Sequence, residues 1–192
     1  LGENGDSYLD VDTDDLYLKS AGSWAVTGNI KGDSGSVVLH NDITNSATTG
    51  TSLQTLKTYT IPADTLSTDG SYLVVKARFS TSTATAISST KTVGIYFNGS
   101  AVIYGTFTAS NIDVFEYEVW INRVSNTIVK IKASSVAAYA ILPIVAGAVS
   151  TGFASTGGLN LTTTTYDITA KANSDVIGDL TCENLTVTYF KK

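Results

Sequence analysis

Apolar residues recur at every second position in several segments of this chain. The period is clear from Ser71 to Phe79 and again from Val114 to Ile121. A period of two places alternate side chains on opposite faces of an extended strand, so each segment predicts a strand with one face in a core. The predicted inward rows are Leu73, Val75, Ala77 and Phe79 in the first strand and Phe115, Tyr117, Val119 and Ile121 in the second.

A third inward row ends at a turn signal. Val93, Ile95 and Phe97 precede Asn98-Gly99, a dipeptide that favours a two-residue hairpin turn, and a strand at 101–104 follows. Since roughly eight or nine strands and no amphipathic helix are predicted, the sequence indicates an all-β chain with two sheets packed face to face as a β-sandwich. The remaining predicted strands are 53–60, 127–133, 138–149, 159–169 and 180–190, with one helical turn at 62–66.

The first 35 residues have a different character. They contain short apolar segments at 8–11, 16–19 and 23–26, which predict a small β module around the acidic turn Asp10–Asp15. Three short strands bury little area, so we expect this module to pack on another copy or on a neighbouring domain. Residues 36–52 are rich in Ser, Thr and Asn and are predicted to be a linker, which leaves the sandwich at 53–192.

Composition and charge exclude some classes of function. The 192 residues include 12 Lys and Arg against 17 Asp and Glu, a net charge of -5, without a basic cluster for nucleic acid. The most apolar stretch, 136–149, is shorter than the ~20 residues that cross a bilayer and contains Pro143, so no membrane insertion is predicted. Because the chain begins at Leu1 and contains no Met, we expect it to be a piece of a longer protein.

The acidic turn is the first candidate for a metal site. Asp10, Asp12 and Asp14 begin like a calcium-binding loop, but Asp15 and Ala21 occupy the positions that require Gly and Glu. We interpret the segment as a solvated turn, in which Asp bonds its own backbone. A weaker, irregular cation site in the Asp10–Asp15 turn stays open.

The remaining candidates do not combine into a catalytic or cofactor site. His40 is the only imidazole and no G-x-S-x-G motif is present, so it is interpreted as a surface or linker residue. Glu116 and Glu118 would project from one strand face about 7 Å apart, near the spacing of glycosidase carboxylates. Glycosidase pairs, however, usually come from different strands at the floor of a cleft with aromatic platforms nearby, and Trp120 supplies only a hint of such a platform. We interpret the two glutamates as solvated residues on an outer face. Cys182 is interpreted as a small buried residue. The sequence therefore predicts a protein that is not an enzyme.

Two parts of the chain resemble a known group of proteins. Residues 5–32 (GDSYLDVDTDDLYLKSAGSWAVTGNIKG) resemble the short module beside collagen-like Gly-X-Y arrays in bacteriophage tail-fibre and related virion proteins. Residues 56–70 and 91–99 resemble the jelly-roll-like C-terminal domains of phage structural proteins. Gly-X-Y stubs remain only at Gly2/Gly5 and Gly32/Gly35, so these residues cannot sustain a collagen triple helix.

The resemblance implies an extracellular virion appendage, a tail or head fibre, with a jelly-roll-like β-sandwich head that assembles as a homotrimer. Its partners would be other virion proteins and a host-surface glycan or protein. Outward tyrosines such as Tyr72 and Tyr96 would be buried between subunits, the interpretation we favour, or contact a ligand. The loops 80–90 and 150–158 are further candidates for contact. Alternatives are a secreted bacterial adhesin, a capsid-bound decoration or head-fibre protein without receptor binding, and a capsule depolymerase.

Overall fold

Strands make up all the regular structure in the described part of the chain. The computed structural model describes residues 2–10, 15–29, 35–82, 90–108, 114–138, 154–156 and 158–192. Within these ranges the chain forms fourteen strands and no helix. The strands are β1 (Ser7–Asp10), β2 (Asp15–Ser20), β3 (Ser23–Asn29), β4 (Ser36–Asp42), β5 (Ser46–Ala47), β6 (Gln54–Ile61), β7 (Tyr72–Thr81), β8 (Thr90–Phe97), β9 (Ser100–Thr108), β10 (Val114–Ser125), β11 (Ile128–Ala138), β12 (Ala154–Thr156), β13 (Tyr166–Ser174) and β14 (Leu180–Phe190).

The first three strands form a small antiparallel sheet in the order β1-β2-β3. Tyr8 lies opposite Tyr17, which in turn lies opposite Val26. The three short strands that the sequence predicts in this region are therefore present.

The other strands form two sheets. The larger has the order β12-β11-β10-β7-β14-β4, with β5 beside β14, and the smaller has the order β6-β13-β8-β9. The antiparallel pairs β4–β14, β6–β13, β7–β10 and β8–β9 are nested along the chain and alternate between the sheets. This nesting is the jelly-roll arrangement, and β11 and β12 extend one edge of the larger sheet. The predicted jelly-roll-like β-sandwich, preceded by a three-stranded sheet, is confirmed.

The core lies between the two sheets and is built from the alternating rows. Every member of the predicted inward rows in β7, β8 and β10 is buried. The rings of Phe107 on β9 and Phe115 on β10 have centroids 4.2 Å apart, which joins the smaller sheet to the larger one. Each such side chain contributes about 1.5–3 kcal/mol when it leaves water, so this contact holds the sheets together.

The hairpin between β8 and β9 follows the local sequence. Asn98 and Gly99 have φ angles of 48° and 78°, both in the left-handed region. A type I′ turn requires positive φ at both central residues, and its twist matches that of the two strands. The predicted two-residue turn is confirmed.

The prediction that residues 36–52 are a linker is wrong in part. Strands β4 and β5 lie in this segment and pair with β14, so the strands of the sandwich begin at Ser36 and not at Leu53. The apolar patch of this segment, Val37 to Leu39, belongs to β4, and the Ser, Thr and Asn residues around it resemble a loop because an edge strand has one neighbour and is partly open to water.

Three other predicted elements differ from the structure. The strand predicted at 159–169 begins only at Tyr166, because Thr163 and Thr164 donate backbone hydrogen bonds to Asn160 O in a turn. Leu159 and Leu161 are buried all the same, which explains their apolar spacing. The segment 62–66 forms turns without a helix. Residues 139–149 of the predicted strand 138–149, and most of the loops 80–90 and 150–158, lie outside the described residues.

Gly94 in β8 occupies a position without room for a side chain. A Cβ there would lie 2.5 Å from Ile103 O and 2.7 Å from Tyr104 Cβ on β9. We expect Gly94→Ala to lower the free energy of unfolding by about 1–3 kcal/mol, because the neighbouring strand must shift. In Gly35→Ala the new Cβ meets nothing within 4 Å, so its effect should stay below about 0.5 kcal/mol. Urea denaturation measures both, and equal stability of the two variants would contradict the packing described.

Candidate interaction surfaces

The outward side chains of β7, β10, β11 and β14 form a surface that we call the outer face. Tyr72 on β7 and Phe190 on β14 lie opposite each other, and their rings stack with centroids 4.6 Å apart. Trp120 on β10 lies between Val74 and Lys132, and Lys132 Nζ is 5.2 Å from the centre of its ring. The three aromatic rings are partly exposed, so the outer face presents apolar area beside a cation.

A band of charged residues crosses the outer face beside these rings. Lys76 Nζ lies 2.8 Å from Glu118 Oε2, and Arg78 Nε lies 2.7 Å from Glu183 Oε2. The hydrogen bond to Glu118 raises the pKa of Lys76 above its ordinary value. Glu116 is the cross-strand neighbour of Arg78, so the two glutamates that the sequence places on one face do share it, each beside a basic residue. Such pairs at a surface contribute at most about 1 kcal/mol and serve mainly to balance charge.

The outward surface of the smaller sheet is more polar. Thr92 and Thr106 have hydroxyl oxygens 3.1 Å apart, and Lys171 Nζ lies 4.8 Å from the ring centre of Tyr96. Burial raises the pKa of Tyr96, and the neighbouring Tyr104 adds to the effect. Tyr96 is thus outward, as the sequence predicts, but it is partly covered within its own chain.

One side of the small β1–β3 sheet is aromatic, and we call it the aromatic face. Tyr8 stacks on Tyr17 with ring centroids 4.8 Å apart and meets the edge of Trp24 at 4.9 Å. Lys19 Nζ lies 5.8 Å from the Trp24 ring centre and donates a hydrogen bond to Gly2 O. These contacts give the face polar groups that tolerate water.

The opposite side of the same sheet carries three leucines among small residues, and we call it the leucine face. Its members include Leu9, Leu16, Leu18 and Ala25, together with Ser7, Ser20 and Ser23. The three leucines are 39%, 37% and 38% exposed. A contiguous group of exposed leucines is unusual for a strand face, which normally packs on a core.

A buried lysine ties the edge of the larger sheet to the smaller sheet. Lys57 Nζ donates hydrogen bonds to the carbonyl oxygens of Asp42 and Thr44 and lies 2.9 Å from Asp42 Oδ1. The Thr44 hydroxyl and amide also donate to Asp42 Oδ1. These hydrogen bonds, the Thr44 hydroxyl first and Lys57 next, hold the pKa of Asp42 well below its ordinary value. Asp42, Thr44 and Lys57 thus hold β4 against β6, and we call these three residues the Asp42–Lys57 clamp.

A second buried pair lies between β8 and the turn before β14. Lys91 Nζ is 3.2 Å from Asp179 Oδ2, and neither side chain is exposed. Ser174 Oγ donates to the same carboxylate oxygen at 2.7 Å. Because a lone charge in the interior is costly, the pair fixes β8 against this turn.

The single histidine and cysteine both belong to the sandwich. His40 lies in β4 with its ring stacked on Tyr59 at 4.9 Å, so its interpretation as a linker residue is wrong. Its buried Nε2 has no hydrogen-bond partner among the described residues. Cys182 is fully buried, as the sequence predicts, and burial raises the pKa of its thiol to about 12.

No metal centre is found in the described residues, where no group of three or more His, Cys, Asp or Glu could hold an ion. Asp10 and Asp15 are cross-strand neighbours, while residues 11–14 of the acidic turn lie outside the described ranges. No helix in those ranges is long and apolar enough to span a bilayer.

No protein-family model matches the chain, and no curated protein matches it.

The Asp42–Lys57 clamp predicts acid-sensitive stability. Since the pKa of Asp42 is lower in the folded than in the unfolded chain, its contribution is complete above the unfolded value of about 4 and is lost as pH falls through the folded value. We expect the free energy of unfolding to fall between about pH 5 and pH 2, and less steeply in Asp42→Asn. At pH 7 this variant should lose about 3 kcal/mol, because Lys57 stays buried without a carboxylate.

The control for this prediction is Glu183→Gln. Glu183 Oε2 lies 2.7 Å from Arg78 Nε, and neither side chain is buried, with 31% and 47% exposed, so its removal should cost less than about 1 kcal/mol. Urea denaturation at pH 7, 5 and 3 measures all three chains. Identical pH profiles for the wild type and Asp42→Asn would show that the clamp does not stabilise the fold.

Proposed function

We propose that this chain is a structural subunit of a virion appendage, a tail or head fibre, that assembles as a homotrimer and uses its sandwich to contact the host surface. The observation that carries the proposal is the small sheet, which exposes apolar side chains on both faces ahead of a closed sandwich. A chain with such a sheet is suited to assembly with further subunits.

The sandwich supplies a rigid scaffold for this role. Jelly rolls occur in viral capsid and lectin domains, an analogy of fold that supports the proposal without proving a function. The resemblance of residues 5–32 to modules of phage fibres also supports a role in a virion appendage. The described surfaces carry aromatic rings, exposed apolar side chains and ion pairs, and side chains of these kinds are suited to contacts between proteins.

Of the two uses expected for outward tyrosines, burial between subunits and contact with a ligand, we assign the second to the outer face of the larger sheet, because the small sheet exposes other apolar side chains for assembly. The partly exposed rings of the outer face, Tyr72, Phe190 and Trp120, are the residue types that dominate binding energy at interfaces, and Lys132 and the charged band supply polar contacts. Three copies on one appendage would raise a weak single-site affinity through effective concentration.

A depolymerase is a weaker candidate than an appendage. The two glutamates that could act as acid and nucleophile lie on one strand, and Glu118 is held by Lys76 at 2.8 Å. Glycosidase carboxylates instead flank the scissile bond from two sides. The adhesin and decoration-protein alternatives would use the same surfaces and differ in location.

Location and mass test the proposal directly. Antibodies against this chain should label appendages of virus particles in immunogold electron micrographs, and light scattering should report three times the 20.1 kDa of one chain, about 60 kDa. Label over the capsid shell alone would replace the fibre with a decoration protein. Label on bacterial surfaces and on no particle would favour the adhesin and overturn the virion role.

The attachment role of the outer face is tested with matched aromatic variants. Trp120→Ala should weaken binding of the fluorescently labelled protein to host cells of the labelled virus by about tenfold or more, because it removes an interface aromatic. Tyr96→Ala removes a ring from the opposite sheet and should leave binding unchanged. Far-UV circular dichroism and melting temperature confirm that both variants fold. Equal binding by both variants would show that the outer face does not make the contact.

A further inference from the structure

We propose that the side chains of Lys91 and Asp179 condense to an intramolecular amide bond. The bond links β8 of the smaller sheet covalently to the turn before β14 of the larger sheet. It does not depend on the proposed assembly or attachment, because all of its atoms belong to the sandwich of one chain.

The two reacting groups are buried in contact with each other. Lys91 Nζ lies 3.2 Å from Asp179 Oδ2, and neither side chain has exposed surface. The carboxyl carbon that the amine attacks, Cγ, is one bond away from that oxygen. Two groups held together in a fold react as if they were very concentrated, with effective molarities of about 10⁵–10⁸ M where they are well aligned. A condensation that is negligible between free side chains in water is therefore accessible at this site.

The two oxygens of Asp179 have different surroundings, and the difference identifies the oxygen that leaves. Oδ2 accepts a hydrogen bond of 2.7 Å from the hydroxyl of Ser174. Oδ1 is buried and has no hydrogen-bond partner among the described residues. A buried carboxylate oxygen without a donor is costly. Amide formation removes this cost, because Oδ1 departs as water while Oδ2 remains as the amide oxygen.

The condensation balances without a co-reactant. One proton passes from the Lys91 ammonium to Asp179 Oδ1, and the neutral amine then attacks Cγ. In the tetrahedral intermediate the negative charge lies on Oδ2, to which the Ser174 hydroxyl donates. A second proton passes from the nitrogen to Oδ1, the Cγ–Oδ1 bond breaks, and one water leaves. The nitrogen keeps one hydrogen, and two buried charges are replaced by a neutral amide.

Ser174 is held in place as a donor to this carboxyl group. The side chain is fully buried, and its hydroxyl oxygen accepts a hydrogen bond of 3.2 Å from the backbone N–H of Val176. An accepted hydrogen bond polarises the O–H group and makes it a stronger donor. Ser174 therefore supplies a fixed hydrogen bond to the oxygen on which charge develops.

The other buried lysine lacks these features. Lys57 Nζ donates to the carbonyl oxygens of Asp42 and Thr44 and contacts Asp42 Oδ1, so all three ammonium hydrogens have acceptors. An amide nitrogen would keep only one of these hydrogens. Asp42 is also 30% exposed, and its Oδ1 accepts hydrogen bonds from the amide and hydroxyl of Thr44. The Asp42–Lys57 clamp therefore stays ionic and provides a control within the same chain.

Intact-mass spectrometry of the denatured full chain tests the bond. The wild type should weigh about 18 Da less than its sequence, the mass of one water. Lys91→Arg should show the full sequence mass, because a guanidinium stays protonated and does not attack a carboxyl group. Lys57→Arg is the matched control and should keep the deficit. A wild-type chain of full sequence mass would overturn the proposal, whether or not either variant folds.

Peptide mapping distinguishes the bond from another loss of water. Asp69 precedes Gly70, and such an aspartate can lose water by closing on the next backbone nitrogen. The amide instead protects Lys91 from trypsin, so the digest should contain one linked species that joins residues 79–123 to residues 172–191. Tandem mass spectrometry identifies the two linked side chains. A deficit located at Asp69, without the linked species, would overturn the proposal.

The part played by Ser174 is measured from the rate of linkage. Ser174→Ala should form the bond roughly a hundredfold more slowly, because a donor to the developing negative charge is lost. The linked fraction is followed by mass in chains sampled at intervals after cell-free synthesis. Equal rates in the wild type and this variant would show that Ser174 does not assist the condensation.

Discussion

Burial of alternating side chains between two sheets is the constraint on which the rest of this structure depends. The row Leu73, Val75, Ala77 and Phe79 is fully buried at the centre of the larger sheet, between β10 and β14. Because side chains alternate, this row also determines which residues of β7 point outward. A register slip of one residue would expose the row and bury Lys76 and Arg78. The composition of the outer face is therefore a consequence of the core.

The sequence predicts the parts of the fold that local patterns control. The inward rows, the Asn98-Gly99 turn and the burial of Cys182 follow from a period of two and from turn chemistry. Strand β4 is missed because its apolar run, Val37 to Leu39, is short and lacks alternation and its polar flanks suit a loop as well as an edge; only its pairing with β14, far along the chain, distinguishes the two. The start of β13 is missed because Leu159 and Leu161 are buried by a turn. The same limit applies to the surfaces: the sequence predicts outward Tyr72, but its stacking on Phe190 requires the sheet.

The buried lysines show what alternation alone cannot predict. Lys57 and Lys91 both point into the sandwich from strands of the smaller sheet, and each meets an aspartate from a different part of the chain. Burial of one charge without its partner costs several kcal/mol, so the two pairs favour one arrangement of β4, β6, β8 and the turn before β14. No local signal marks these pairs, since an isolated Lys in an apolar row normally predicts an outward position. The two lysine–aspartate pairs therefore specify one packing arrangement of the two sheets.

The small sheet obeys the same period of two as the sandwich, with a different result. In the sandwich each apolar row meets a second sheet of the same chain, while the leucines of β1 and β2 remain more than a third exposed. The free energy that apolar surface gains by leaving water is the same in both places, about 25 cal/mol per Å². A second chain can therefore supply for the small sheet what the smaller sheet of the sandwich supplies for the larger one. The interaction that folds the sandwich would then also act between the small sheet and whatever surface covers its leucines.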